Sequence, residues 1–305
     1  MSLASKFGNS FYQSALLDTR SIIDMGLWSG VERHRFDNWC QQFTGEEEKV
    51  ILALLLRQLV YRSKEQVRAL LYQAFDRGIP QKLFEITGDE NVFEEMKLYQ
   101  SHRNYPRSIL IVPVIRDFEP PTKSGPLVAR LFKKMININD RMMRWPWQLD
   151  EIDNLKTIIF VDDFVGTGEQ FLKFCDHHID QSIFEKDLTF LYAPITANSE
   201  GLDNITKTKP FINVSPIELV TPENNFFTAS QNEHSLSSCE VQELEDYYNR
   251  LLTRVGLDNI GQRKGKMTKG YGGLALTYAY EHGTPNGSLP LLWANSDNYT
   301  SLFSR

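Results

Sequence analysis

Cysteine is scarce in this 305-residue chain. Cys40, Cys175 and Cys239 are an odd number, far apart, with no Cys-x-x-Cys pair. That excludes a disulfide framework and a zinc ribbon, and suggests three reduced core thiols in a cytoplasmic protein. A long apolar run is also missing. The densest, Ile109 to Ile115, is less than half of the ~18 residues a membrane helix needs, so no membrane span is expected. Met1-Ser2-Leu3-Ala4-Ser5-Lys6 lacks a basic region followed by an apolar stretch, so no signal peptide is expected either. There is no excess of positive charge: 33 Lys and Arg face 39 Asp and Glu, a net charge of −6. Coating nucleic acid by bulk charge is thereby disfavoured. Repeats and low-complexity tracts are absent. What remains is an ordinary globular composition, 41% hydrophobic and 12% aromatic, long enough for one large or two modest domains.

The first hundred residues read as helical. Thr44 and Glu47 have capping-box spacing, with Val50, Ile51, Leu54, Leu55 and Leu59 at helical intervals behind them. Ser63 and Gln66 repeat the signal before Val67, Leu70, Leu71, Ala74 and Phe75, and Gly78 and Pro80 end the run. Two helices joined at Arg62-Ser63-Lys64 would form a hairpin over Phe36, Trp39 and Phe43, in a supporting role. From residue 107 the pattern changes to buried strands alternating with helices. Strand-like runs start at Ser108, Thr157, Thr189 and Phe211, and helical patterns follow Gly125, Gly168 and Gly201. This order predicts an α/β fold with a parallel sheet flanked by helices. Three segments are expected: a helical region over 1–106, the α/β core over 107–225, and a C-terminal helix, Gly/Lys-rich loop and cap over 226–305. Ser237 and Glu240 cap that helix, and Gly256 ends it.

Chemistry concentrates in Val161-Asp162-Asp163-Phe164-Val165-Gly166-Thr167-Gly168-Glu169. A buried strand ends in two carboxylates, and a short glycine loop opens a helix. Ligands of open α/β sheets bind at such strand ends. Loop amides and a helix N-terminus suit an anion, and the glycines let backbone approach it. The acids suit hydroxyl donors or a cation such as Mg²⁺, so a ribose 5-phosphate fits the whole. A dinucleotide fingerprint fails because Phe171 takes the third glycine position, and a Walker A loop fails for want of lysine. The plainer account is a capped helix with a glycine turn.

This motif resembles the phosphoribosyl diphosphate (PRPP) motif of type I phosphoribosyltransferases. The resemblance implies that Asp162 and Asp163 face the ribose hydroxyls and hold Mg²⁺, while Val165, Gly166, Thr167, Gly168, Glu169 and Gln170 cradle the 5-phosphate. It places Arg116, Lys123, Ser124 and Gly125 at the diphosphate, where a solvated loop with a helix cap is the alternative, and Asn198 beside Gly201 at the base or nucleophile. Two positions depart from the metabolic enzymes. Gln170 stands where Thr or Ser is common, and Gly166 where purine-transferring members often carry Asp. Phe36 to Phe75 and His282 to Arg305, in particular Pro285-Asn286-Gly287-Ser288-Leu289-Pro290-Leu291-Leu292-Trp293, resemble phosphoribosyltransferase-like proteins of bacterial conflict systems, including retron-associated effectors. That implies a toxin-like enzyme in antiphage defence, or a non-catalytic sensor or scaffold. Its partner would be a reverse transcriptase–nucleic acid complex or another defence protein, and an oligomer is compatible. The stretch Arg263 to Gly273 carries four cations and one tyrosine. It reads either as a mobile solvated loop or as a cover for polyphosphate or nucleic acid. Asp176-His177-His178 reads as a helix C-terminus rather than a metal site, because adjacent helical residues point apart.

Overall fold

The computed structural model describes residues 2–115, 124–149, 154–261 and 267–304, with the backbone alone at 124–128. The chain forms two compact units, residues 1–64 with 221–305, and residues 65–220. The boundaries therefore fall at 64/65 and 220/221. Residues 65–97 belong to the unit that holds the five-stranded sheet, and the two ends of the chain share the other.

The first unit begins with α1 (Leu3–Asp24), α2 (Arg33–Cys40) and α3 (Glu46–Gln58), then strand β1 (Val60–Arg62). Glu48, not Glu47, caps α3, accepting Thr44 N at 2.7 Å and Gly45 N at 3.1 Å. The expected hairpin at Arg62-Ser63-Lys64 does not form. Val60, Tyr61 and Arg62 pair instead in parallel with residues 278–280, and the helix beyond them belongs to the other unit.

The second unit starts with α4 (Lys64–Gln73), which passes through a π turn (Ala74–Gly78) into α5 (Ile79–Thr87), followed by α6 (Asn91–Lys97). Gly78 and Pro80 thus do not end the helical run. Proline has no N–H to lose in a first helical turn, and Pro80 opens α5. Next come β2 (Ile109–Pro113), α7 (Ser124–Ile136), β3 (Thr157–Val165), α8 (Glu169–His177), α9 (Gln181–Phe184), β4 (Thr189–Asn198), α10 (Ser199–Thr208), β5 (Ile212–Val214) and β6 (Glu218–Val220). The sheet is wholly parallel, ordered β2-β3-β4-β5, with β6 continuing along β4. This is the expected α/β architecture. Ile158 and Phe160 pack in one cluster with Phe171 and Phe174 of α8 and Ile205 of α10. Ile159 and Val161, between them, are fully buried as well, which is why β3 reads as an unbroken apolar run.

The chain then returns to the first unit as α11 (Phe226–His234), α12 (Ser238–Arg254) and β7 (Tyr278–Tyr280). Ser237 and Glu240 cap α12 reciprocally. Trp39 Nε1 donates to the Tyr299 hydroxyl at 2.6 Å, tying α2 to the C-terminal segment. Ser288 is fully buried and donates to Tyr278 O at 2.7 Å, while Trp293 Nε1 donates to Ser288 O at 2.9 Å. Residues 287–293 are therefore core, with Leu289, Leu291 and Leu292 at zero exposure, while Pro285 and Asn286 are partly buried. Of the Gly/Lys-rich stretch, Arg263 to Lys266 lie outside the described residues. Its second half is built structure: Tyr271 N donates to Asn286 O, and Lys269 pairs with Glu245 at 2.8 Å. Cys40 and Cys175 are buried, with thiols pushed up to about 12 by burial, but Cys239 is exposed, so only two of the three thiols are core.

Candidate functional site

The acidic pair sits inside β3, and the strand runs on for two residues, Phe164 and Val165. β3 and β4 hold one register from Thr157↔Thr189 to Val165↔Ala197. Phe160 and Val165 nevertheless share one core cluster, although strand alternation sends even and odd positions to opposite faces. The alternation therefore slips between them, where the acids lie.

The acids have different fates. Asp162 is 2% exposed. Its Oδ1 accepts Asp163 N at 2.9 Å, and its Oδ2 accepts the Tyr192 hydroxyl at 3.1 Å. Tyr192 lies opposite Phe160 on β4, two residues along from the partner of Asp162, the diagonal reach of a long side chain. Its ring stacks on Phe171 at 3.6 Å and 4°, which locks the hydroxyl in place. Burial, then the neighbouring Asp163 charge and hydrogen bond, push the Asp162 carboxyl well above the usual range. Burial and the Asp162 charge raise the Tyr192 phenol likewise. Asp163 is only partly buried, its Oδ1 accepting Phe164 N at 2.9 Å. It is the carboxylate nearer to solvent.

Beyond Val165, which is buried in the core, Gly166, Thr167 and Gly168 turn the chain into α8. Gly168 is left-handed at φ +79°, and no side chain caps the helix. Leu172 N donates to Gly168 O, so the amides of Glu169, Gln170 and Phe171 precede the first intrahelical bond. Glu169 and Gln170 are exposed, and Glu169 pairs with Lys173 at 3.3 Å. A Cβ on Gly168 would stand 2.6 Å from Gly201 O, and one on Gly201 only 2.1 Å from Gly166 O. Two backbones in contact thus hold the turn, together with Asn204 Nδ2, which donates to Thr167 O at 3.0 Å. Such a turn offers amides and the positive end of a helix to an anion.

The other expected residues are distributed differently. Arg116 and Lys123 lie outside the described residues. Ser124 and Gly125 begin α7, and only their backbone is described. Asn198 ends β4 and caps α10, its Oδ1 accepting Glu200 N at 2.9 Å. The helix begins at Ser199, so Gly201 lies within its first turn and serves packing against the glycine turn. His177 closes α8 and His178 caps it. Tyr192 and Asn204 escaped the sequence reading. The one phenol in an apolar strand was a signal for the first, whereas nothing local marks the second. Among the described residues no three of His, Cys, Asp and Glu converge as metal ligands, and no helix is long and apolar enough to cross a membrane.

No curated protein matches this chain significantly. Among solved structures, it is similar to an orotate phosphoribosyltransferase from Aeropyrum pernix at 14% identity, over 49% of this chain and 79% of that one, with a TM-score of 0.26. It is also similar to the AQ2163 protein from Aquifex aeolicus at 13% identity, over 62% and 83%, with a TM-score of 0.29. At such scores neither likeness carries weight, and the fold rests on the strand order. The match to the PRTase-CE family model is different in extent: it runs over residues 36–305, taking in the acidic strand, its glycine turn and residues 285–293, and the chain belongs to that family.

Proposed function

We propose that this protein is a phosphoribosyltransferase-like effector that binds PRPP or a related ribose-phosphate nucleotide at the β3–α8 turn. The observation that carries this reading is the uncapped, glycine-packed turn directly behind the Asp162–Asp163 pair. The amides of Glu169, Gln170 and Phe171 would hold the 5-phosphate. Asp163, the accessible acid, would accept the ribose hydroxyls. Asp162, held by Tyr192, would set the backbone of Asp163 through its 2.9 Å bond. The donor set is compatible with Mg²⁺, which takes one or two carboxylates and completes its shell with substrate phosphates and water. When bound, Mg²⁺ would neutralise charge on the diphosphate. Arg116 and Lys123 are proposed for the same diphosphate on the resemblance alone.

Calorimetry with PRPP and Mg²⁺ tests the site. Binding by the wild type and at least tenfold weaker binding by Asp163→Ala are expected. No binding by folded wild type, or equal binding by the variant, overturns it. A second reading, a ligand sensor without turnover, is favoured by the enclosure of Asp162 and by Gln170 in place of a hydroxyl residue. Pyrophosphate release over hours, with mixed nucleobases, nucleotides or nucleic acid as acceptors, separates the two. The proposed setting is antiphage defence, with toxicity restrained by a partner protein. The chain is expressed alone, beside its neighbouring genes, and as Asp162→Ala/Asp163→Ala. Arrest by the wild type alone, relieved by the neighbours and by the double variant, is the expected result. A double variant as toxic as the wild type removes this site from the effect.

A further inference from the structure

The chain is acidic, but its charge is unevenly spread. Between Leu98 and Leu149 nine Lys and Arg stand against three Asp and Glu, a net of +6 in a chain of −6, leaving −12 for the remainder. Within this stretch Trp145 and Trp147 are among the exposed large apolar side chains, at 38% and 55%. Their rings lie parallel, 5.5 Å apart at 7°. The geometry is fixed locally. Pro146 starts a short 3-10 turn, and Gln148 Oε1 accepts Trp145 N at 3.2 Å, so both indoles project from one rigid corner. Trp145 also lines a cleft of about 360 Å³ with Arg130, Lys133 and Arg144. Lys133 pairs with Asp140 at 3.0 Å, whereas Arg130 and Arg144 have no acidic partner among the described residues. All of these groups belong to the unit formed by residues 65–220.

We propose that the Trp145–Trp147 corner and the Arg130–Arg144 cleft form a binding site for single-stranded nucleic acid. Flat aromatic faces beside guanidinium groups that have no acidic partner among the described residues match a strand that offers bases and phosphates in alternation. The exposed indole of Trp147 stacks a base, and Arg130 and Arg144 meet the adjoining phosphates. A duplex, whose bases are stacked internally, satisfies only the charged half of the site. An acidic peptide would likewise leave the indoles without a partner. No residue of β3 lines this cleft, and the proposal does not depend on the phosphoribosyl reading.

The test is fluorescence anisotropy of the full chain with labelled 20-nucleotide oligo(dT), oligo(U) and a blunt duplex, across a salt titration. Both single strands, or one of them, are expected to bind more tightly than the duplex; preference for oligo(U) assigns the site to RNA and preference for oligo(dT) to DNA. Trp147→Ala is expected to weaken binding about five- to 100-fold, the loss of one base–aromatic stack, with Trp147→Phe retaining most of it. Arg130→Glu/Arg144→Glu is expected to flatten the slope of log affinity against log salt by about 1.4, two phosphate contacts. Asp163→Asn is expected to bind oligonucleotide as the wild type does, so failure here and failure at the acidic strand are told apart. No binding at about 50 mM salt by protein with wild-type circular dichroism, equal binding of duplex, or an unaffected Trp147→Ala overturns the proposal.

Discussion

Asp162 and Asp163 are neighbours of one chemical type with opposite surroundings. An acid buried against a phenol and a second acid favours its proton, so the folded state holds that proton to higher pH than the unfolded chain does. The sign follows directly. The contribution of Asp162 to stability is complete below the unfolded value, ~3.9, and is lost as pH rises toward the raised folded value. Asp162→Asn keeps the shape and carries no charge. Its urea-derived stability relative to the wild type is expected to climb between pH 4 and 8. A variant that tracks the wild type across that range would show that Asp162 titrates normally. Asp162→Ala, by contrast, leaves the buried Tyr192 hydroxyl without its acceptor, at about 1–3 kcal/mol.

At the scale of elements, the β3–α8 turn depends on contact with α10. Gly168 and Gly201 are glycine for a steric reason, because any Cβ between these backbones meets a carbonyl. Gly201→Ala would press a methyl against Gly166 O, and neither backbone can yield without moving the turn. A loss of about 1–3 kcal/mol is expected, as for overpacked cores, together with weakened PRPP binding. Asn204→Ala removes only the bond to Thr167 O and should cost about 1 kcal/mol. Thermal melts and calorimetry on both variants check this order. If Gly201→Ala melts and binds as the wild type does, the backbone contact does not shape the site.

The whole molecule is organised by pairings between distant parts of the chain. β1 finds β7, and Arg250 and Arg254 of α12 pair with Glu47 and Glu48 of α3. The Tyr299 hydroxyl, buried between Trp39 Nε1 and Leu291 O, closes the same unit from its two ends. Tyr299→Phe leaves a buried donor and a buried acceptor without their partner. Chemical denaturation should register a loss of about 1–3 kcal/mol, and a variant as stable as the wild type would mean that water replaces the hydroxyl.

The strands of the parallel sheet, the caps of α3 and α12 within one residue, and the glycine turn after the acids were all legible in the sequence. Each depends on neighbours a few positions away: an apolar run buried on both faces, a carboxylate within reach of a helix start, a glycine where the backbone must turn. The separate fates of Asp162 and Asp163 were not legible, because Tyr192 belongs to another strand and only the register of β4 brings its hydroxyl there. The same holds for Val60–Arg62, whose partner strand lies more than 200 residues away. It holds also for the contact of Gly201 with the Gly166 backbone, which joins two segments of the chain far apart in sequence. Local chemistry determined which elements form. Contacts across long sequence separations decided which side chains are enclosed, which reach solvent, and which segments of the chain share a core.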